Sequence, residues 1–226
     1  MTPQVTLIKK CGPSPLMSKR ISLDEQGALR SDGSHCLMVK GTAVRAPAST
    51  AIDLAEIIAG CCSEEAIALG ALKDGLPNSV PITVPAKIED NPGAITRSRD
   101  FIDYRPGKPA WSLIDFDTKG MPAHVGARIE ATGGMWNALL VVVPGISRAA
   151  RVSRASTSSG LFRSDTGEPV PGSNGMHHYV LIRDSGCGSS LEYKPWTACL
   201  SVFCGSECKP ASQFVSATIS PWRLQR

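Results

Sequence analysis

The sequence predicts an α+β fold, in which a sheet is covered mostly on one side by helices. Two observations favour this class. Short runs rich in β-branched and aromatic residues, bounded by glycine, proline or serine, recur along the 226 residues and are typical of strands. Between them lie segments whose apolar residues return every three to four positions, which is the period of a helix.

The first half of the chain combines short strands with two predicted helices. Residues 5–8 and 36–39 are short apolar pieces that suggest strands. Ser49 or Thr50 can cap a helix whose apolar residues keep helical spacing up to Gly60. Ser63, followed by two glutamates, predicts the start of a second helix that stops at Gly75. A proline-rich loop around a strand at residues 82–84 comes next.

The second half predicts one clear helix and several strands. Pro122 opens a helix that reaches Thr132, with Val125 and Ile129 on one face, before two glycines break it. Residues 138–143 are ambiguous: their β-branched valines favour a strand, whereas the family resemblance carried by the motifs below implies a helix that ends before Pro144. Strands are predicted near residues 150–153 and 179–183.

Composition indicates a chain that can bury a core, and it gives little information about partners. Hydrophobic residues make up 42% of the sequence, and the formal net charge of +4 permits nucleic-acid binding without requiring it. No run of eighteen apolar residues occurs, so no membrane span is predicted. Lys9 and Lys10 follow an apolar stretch instead of preceding it, which argues against a signal peptide. A cytoplasmic location is the resulting expectation.

The strongest chemical signal is a predicted strand that ends in two carboxylates, with the sequence Trp-Ser-Leu-Ile-Asp-Phe-Asp over residues 111–117. Successive side chains of a strand point to opposite faces, so Asp115 and Asp117 point the same way. Adjacent carboxylates repel each other unless a cation lies between them, and their hard oxygen atoms favour Mg²⁺ or Mn²⁺. The pair therefore suggests metal-assisted phosphoryl transfer, and the alternative is a strand that ends in solvated aspartates.

A second signal is a turn rich in glycine, serine and asparagine, residues 171–175, that leads directly into a strand beginning with histidine. The backbone N–H groups of such a turn, together with the imidazole of His177, could hold a phosphate. His178 falls on the opposite face of the strand, and we interpret it as a packed or solvated residue.

A hydroxyl-rich and basic segment precedes this turn, and it contains Arg154, Ser156 and Ser158. Four arginines surround the segment within sixteen residues: Arg148, Arg151, Arg154 and Arg163. Such a cluster suits either a nucleic-acid backbone or a solvated surface loop, and the sequence does not decide between them.

The order of these motifs resembles that of the archaeo-eukaryotic primase superfamily. Asp-x-Asp on a strand is followed by Ser-Thr-Ser-x-Gly, and then by Ser-x-Gly-x-His before an apolar strand. The similarity is greatest to primase-polymerase-like domains of bacterial plasmids, phages and integrative elements, and it extends from about Gly27 to Asp184. It implies an RRM-like catalytic core, that is, a mixed or antiparallel sheet with helices packed against it.

The resemblance also implies roles for individual residues. Asp115 and Asp117 match the motif that binds the divalent metals, Mg²⁺ or Mn²⁺. The motif that contacts the phosphates of the incoming nucleotide is matched by Ser173, Gly175 and His177. Contacts with nucleotide or template are implied for three residues of the hydroxyl-rich segment: Arg154, Ser156 and Ser158. We therefore expect the catalytic set, Asp115, Asp117 and His177, to meet at one face of the sheet.

The function implied is that of a DNA primase or polymerase-like nucleotidyltransferase of a mobile-element replication protein. It would join nucleoside triphosphates on single-stranded or template DNA, together with a helicase or a replication initiator. The third acidic motif of the family has no evident match. Two alternatives therefore stand: a truncated, catalytically inactive nucleic-acid-binding remnant of such a protein, and another metal-dependent phosphohydrolase using the same aspartates.

Three segments are predicted along the chain: a partly ordered N-terminal extension over residues 1–48, a catalytic core over 49–184, and an atypical tail over 185–226. The tail is rich in serine and holds four of the eight cysteines. These cysteines lack a tight Cys-x-x-Cys pair, so zinc binding is not favoured. The abrupt change of composition suits a shifted reading frame or truncated gene copy, or else a lineage-specific tail.

Overall fold

The computed structural model describes residues 2–12, 16–27, 29–116, 121–156, 159–170 and 175–184. The strands in these ranges are β1 (Gln4–Lys10), β2 (Arg20–Leu23), β3 (Leu29–Asp32), β4 (Lys40–Pro47), β5 (Glu65–Ala68), β6 (Ala71–Leu72), β7 (Ser79–Thr83), β8 (Ile95–Thr96), β9 (Ile102–Asp103), β10 (Ala110–Phe116), β11 (Arg151–Ala155) and β12 (Met176–Ile182). The helices are α1 (Ala51–Gly60), α2 (Ala123–Ala131) and α3 (Met135–Val142).

The predicted α+β class is confirmed, because strands and helices both contribute to the fold. The described residues divide into two compact units, one formed by residues 2–112 with 181–184 and the other by residues 113–180. In the described part of the chain, no helix has the length and apolar character that crossing a bilayer requires. The predicted tail, residues 185–226, lies outside the described residues.

The first unit is built on a five-stranded sheet with the order β5-β1-β4-β7-β8. Its pairs are antiparallel except for β7 and β8, which run parallel. A row of directly opposed, buried side chains crosses four of the strands: Ala66, Ile8, Ala43 and Val80. The predicted strand at residues 5–8 lies within β1, and the one at 82–84 overlaps β7. The boundary drawn at residue 48 falls inside this sheet, since β1 and β4 pair with strands from beyond it.

Helix α1 is confirmed where its cap and spacing predicted it. The Thr50 hydroxyl accepts a hydrogen bond from the Asp53 backbone N–H, and the Asp53 carboxylate accepts from the Thr50 N–H. This capping box satisfies donors that the first helical turn would leave without partners. The hydrogen bonds with Thr50 also lower the pKa of the Asp53 carboxyl. Leu54 and Ile58 are the residues that the helix buries.

The helix predicted to start at Ser63 is wrong, because the chain forms β5 and β6 there instead. Residues of β5 pair with β1, more than fifty positions earlier, and this pairing buries Ala66 and Ile67. Acidic residues after a serine favour a helix start locally, but long-range pairing of an apolar segment overrides that preference. Glu65 caps the preceding turn by accepting a hydrogen bond from the Cys62 backbone N–H at 3.1 Å.

The strand predicted at residues 36–39 is also absent, since a short 3₁₀ helix covers Ser34–Cys36 and β4 begins only at Lys40. Cys36 and Met38 are nevertheless buried, and Met38 belongs to the core of the first unit. The apolar side chains of this segment therefore fill the core from an irregular backbone.

Arg45 fixes the turn that follows β6 through the carbonyl oxygens of that turn. Its guanidinium donates to the carbonyls of Leu72, Lys73 and Leu76 at 2.6, 3.0 and 3.4 Å, and to the side chain of Gln4 at 3.0 Å. Arg105 donates to the same Leu72 carbonyl at 2.8 Å. A partly buried cation thereby receives several acceptors, which lowers the cost of removing it from water.

The second unit contains α2, α3 and a three-stranded sheet. Helix α2 is confirmed, with Pro122 before its first residue and with Val125 and Ile129 buried on one face. The ambiguous residues 138–143 are helical up to Val142, and α3 follows two glycines with positive φ. The strands predicted near 150–153 and 179–183 are present with shifted bounds, as β11 and β12.

The two serine or threonine caps predicted from sequence provide a matched test of the fold. Thr50→Ala removes an acceptor at the start of α1 and should lower the free energy of unfolding by about 1 kcal/mol. Ser63→Ala, at the cap that the structure does not form, should change it by less than about 0.5 kcal/mol. Urea unfolding of both variants measures the difference, and equal losses would contradict the capping assignment.

Candidate functional site

The candidate site lies on the three-stranded sheet, whose strand order is β10-β12-β11. Strands β11 and β12 are antiparallel, and their register places Arg154 opposite His177 and Ser153 opposite His178. Because side chains alternate along a strand, the sheet has two chemically different faces. One face carries His178 and Val180, and the other carries His177 and Tyr179.

The first face packs against the helices of the same unit. Ile114 of β10 and Val180 of β12 form a buried cluster with side chains of α2 and α3: Val125, Ile129, Met135, Ala138 and Leu139. Such burial of apolar surface holds the strands and helices of this unit together. On the opposite face, His177 and Tyr179 are also buried.

On that opposite face, Asp115 and His177 are in contact. The Nε2 atom of His177 lies 3.3 Å from the Oδ1 atom of Asp115, although the two residues belong to strands far apart in the sequence. Arg154 is the cross-strand neighbour of His177, at a position where Cβ atoms are about 4.5–5.5 Å apart. The ring of Tyr179 packs edge-on to the His177 ring, with centroids 6.3 Å apart. The structure thus brings together two of the three residues of the predicted catalytic set.

The third residue, Asp117, lies outside the described residues, as do Ser173 and Ser158. Asp115 is the one acidic residue of β10. Its side chain is 20% exposed, so a ligand can reach it. A carboxylate has two oxygens and about four acceptor positions, so contact with His177 is compatible with metal binding. Among the described residues, no group of three or more histidines, cysteines or acidic residues is placed to hold a metal.

Gly175 and Ser156 form a close backbone approach beside this pair. The Ser156 N–H donates to the Gly175 carbonyl at 2.9 Å, which extends the pairing of β11 with β12. A Cβ atom on Gly175 would lie 2.5 Å from the Ser156 hydroxyl oxygen and 3.5 Å from the Phe116 carbonyl oxygen. The glycine is therefore required here by space, and the hydroxyl of Ser156 lies at the start of the strand that carries His177.

His178 is a packed residue, as its place on the strand predicted. Its side chain is buried, its Nδ1 atom lies 2.8 Å from the Ser153 hydroxyl, and its ring lies 5.4 Å from the Trp136 ring. Burial, with smaller contributions from the charges of Arg151 and His177, lowers the pKa of His178 to about 4. At neutral pH this imidazole is uncharged.

Two features were missed by sequence reasoning. The guanidinium of Arg151 lies 3.8 Å from the ring centroid of Trp136, and no motif linked these residues. In the first unit, a pocket is lined by polar side chains from β1 and from residues 103–108: Gln4, Asp103, Tyr104, Arg105 and Lys108. Burial raises the pKa of Tyr104. The cluster of cationic residues at 105–108 was its one signal in the sequence.

Comparisons with known proteins add no relative to this description. No protein-family model, no curated protein and no solved structure matches the chain. The primase resemblance therefore depends on the three motifs and on the contact between Asp115 and His177.

The close approach at Gly175 predicts a rescue experiment. Gly175→Ala should lower the melting temperature, because the new methyl group overlaps the Ser156 hydroxyl and forces the strands apart. Ser156→Gly removes both side-chain atoms that the methyl group would meet, so the double variant should regain part of the loss. Thermal unfolding of the two single variants and the double variant measures the coupling, and strictly additive losses would contradict the assigned contact.

The buried, uncharged His178 predicts loss of stability in acid. The unfolded chain binds a proton at this residue below about pH 6.5, whereas the folded chain does so only near pH 4. Stability from this residue is therefore complete above pH 6.5 and is lost as the pH falls toward 4. Each kcal/mol lost lowers the melting temperature by about 2–4 °C. His178→Gln does not titrate, so its melting temperature should approach that of the wild type between pH 7 and 4.5; a constant gap would contradict the assignment.

Proposed function

We propose that the second unit is a primase-polymerase-like nucleotidyltransferase that binds a nucleoside triphosphate with Mg²⁺ or Mn²⁺. One observation carries the proposal: the Asp115 carboxylate and the His177 imidazole lie 3.3 Å apart on the sheet face opposite to the one that packs on α2 and α3. The motif order predicted this meeting from residues that are distant in sequence. A carboxylate for metal and an imidazole for phosphate are the roles that the primase resemblance assigns to these two residues, and metal ions offset the charge of reacting phosphates.

The described residues suit complementary tasks around a triphosphate. Arg154 lies across the strand pair from His177 and carries a positive charge. Its guanidinium would donate hydrogen bonds to phosphate oxygens. His177 can donate a hydrogen bond from its ring, and its contact with Asp115 fixes the ring orientation. The Ser156 hydroxyl, beside Gly175, adds a neutral polar group at the same strand ends. The set combines charge, orientation and close backbone access.

The metal would be held by Asp115 and Asp117, and it would offset the negative charge of the reacting phosphates. An Asp115 side chain that is partly exposed and that offers two oxygens fits this role. Replacing either aspartate should therefore affect metal binding, whereas replacing Asp115 should also release the ring of His177.

Primer extension tests the proposal directly. The full chain is incubated with a labelled DNA primer–template, nucleoside triphosphates and Mn²⁺, and extended products are separated by size. Extension is expected with the wild type and should fall at least about 100-fold in Asp115→Asn and Asp117→Asn, because the metal loses a charged ligand. His177→Ala should weaken triphosphate binding, whereas His178→Ala should mainly lower the melting temperature.

Asp165→Asn is the matched control, since this exposed aspartate pairs with Arg163 away from the site and should retain extension. Metal should raise the melting temperature of the wild type and of this control, and it should not raise that of Asp117→Asn. Binding of triphosphate and DNA without any extension would replace the proposal with the inactive remnant. Template-independent phosphate release would replace it with a phosphohydrolase.

A further inference from the structure

Strand β11, at one edge of the three-stranded sheet, carries Arg151 and Arg154, and Arg148 lies just before it. In the part of the chain that the structure describes, no carboxylate lies within ion-pair distance of Arg148, Arg151 or Arg154. Arg163 differs from them, because its guanidinium pairs with Asp165 at 2.7 Å. Arg148 and Arg151 are also exposed to solvent. The positive charge of this edge would therefore attract an anionic partner.

The exposed side chain of Arg151 lies over the ring of Trp136. Its guanidinium lies 3.8 Å from the ring centroid of Trp136, and the same indole is 5.4 Å from the ring of His178. His178 is fixed in turn by its contact with the Ser153 hydroxyl. A guanidinium stacked on an indole loses less conformational freedom on binding a ligand than a freely moving one. The exposed outer face of Arg151 can accept a second planar group.

Alternation along β11 separates the arginines by function. Arg154 lies on the face that carries His177, whereas Arg151 and Ser153 lie on the face that carries His178. The triphosphate proposed above would use the face that carries His177. The contact of Trp136 with Arg151 is on the face that carries His178, so its ligand is a different one.

We propose that the β11 edge binds single-stranded nucleic acid, with Arg148 and Arg151 contacting phosphates and the Arg151–Trp136 stack supporting a base. The choice of a nucleic acid rests on the proposed function, and it is supported by the planar, stacked form of the cation. Stacking on aromatic rings and arginine planes is how proteins bind single strands without reading their sequence. An acidic peptide would satisfy the charge and would leave the stacking surface unused.

The test measures binding of fluorescently labelled dT20 to the full chain by anisotropy at several salt concentrations. Arg151→Gln should weaken binding about 5- to 10-fold and reduce the slope of log K against log salt by about 0.7, the value for one lost phosphate contact on a single strand. Arg151→Lys keeps the charge and loses the planar stack, so it should retain the slope while binding more weakly. Arg163→Gln is the matched control and should bind like the wild type.

Binding of ATP with Mg²⁺, measured on the same samples, distinguishes this proposal from the proposed function. Arg151→Gln should retain it. Arg151-dependent binding of dT20 by a chain that binds no ATP would support the edge site while overturning the nucleotidyltransferase. Absence of dT20 binding, or binding unchanged by Arg151→Gln, would overturn the edge site. Equally tight, Arg151-dependent binding of a labelled poly-glutamate peptide would overturn it in favour of a protein partner.

Discussion

The pairing of β12 between β10 and β11 is the constraint on which the chemistry of this protein depends. It sets which side chains become neighbours, because a shift of one residue would send every side chain to the opposite face. In the observed register, Val180 packs on the helices and His177 contacts Asp115. Core formation and assembly of the candidate site are therefore one event. The apolar residues of β12 fix the register of the strand pairing, and this register determines where the polar residues of β12 lie.

Local signals in the sequence predicted the helices well where the interactions are local. The cap of α1 joins Thr50 to Asp53, three residues apart, and the two glycines after α2 end that helix. The segment after Ser63 shows the opposite case, since β5 is defined by its pairing with β1. Nothing near Ser63 in the sequence records that distant strand. The helix prediction after Ser63 was wrong because a long-range strand pairing determines the structure of this segment.

The candidate site could be predicted in part for the same reason. The two-residue period of a strand gave the facing of His177 and His178, and the family resemblance led to the expectation that His177 meets Asp115. The stack of Arg151 on Trp136 joins a helix to a strand edge, and no spacing rule connects these positions. Contacts between side chains of different elements can be identified only from the packed structure.

The clamp formed by Arg45 has a consequence for how the first unit responds to its surroundings. Its guanidinium is held by main-chain carbonyl oxygens and one amide, none of which gains or loses a proton between mildly acidic and mildly basic pH. If the partners of this guanidinium were carboxylates, acid would protonate them and the ion pairs would be lost. The contacts of Arg45 with the turn after β6 therefore persist on acidification, whereas the buried imidazole of His178 makes the second unit respond to it. One polypeptide carries both an acid-indifferent anchor and an acid-sensitive one.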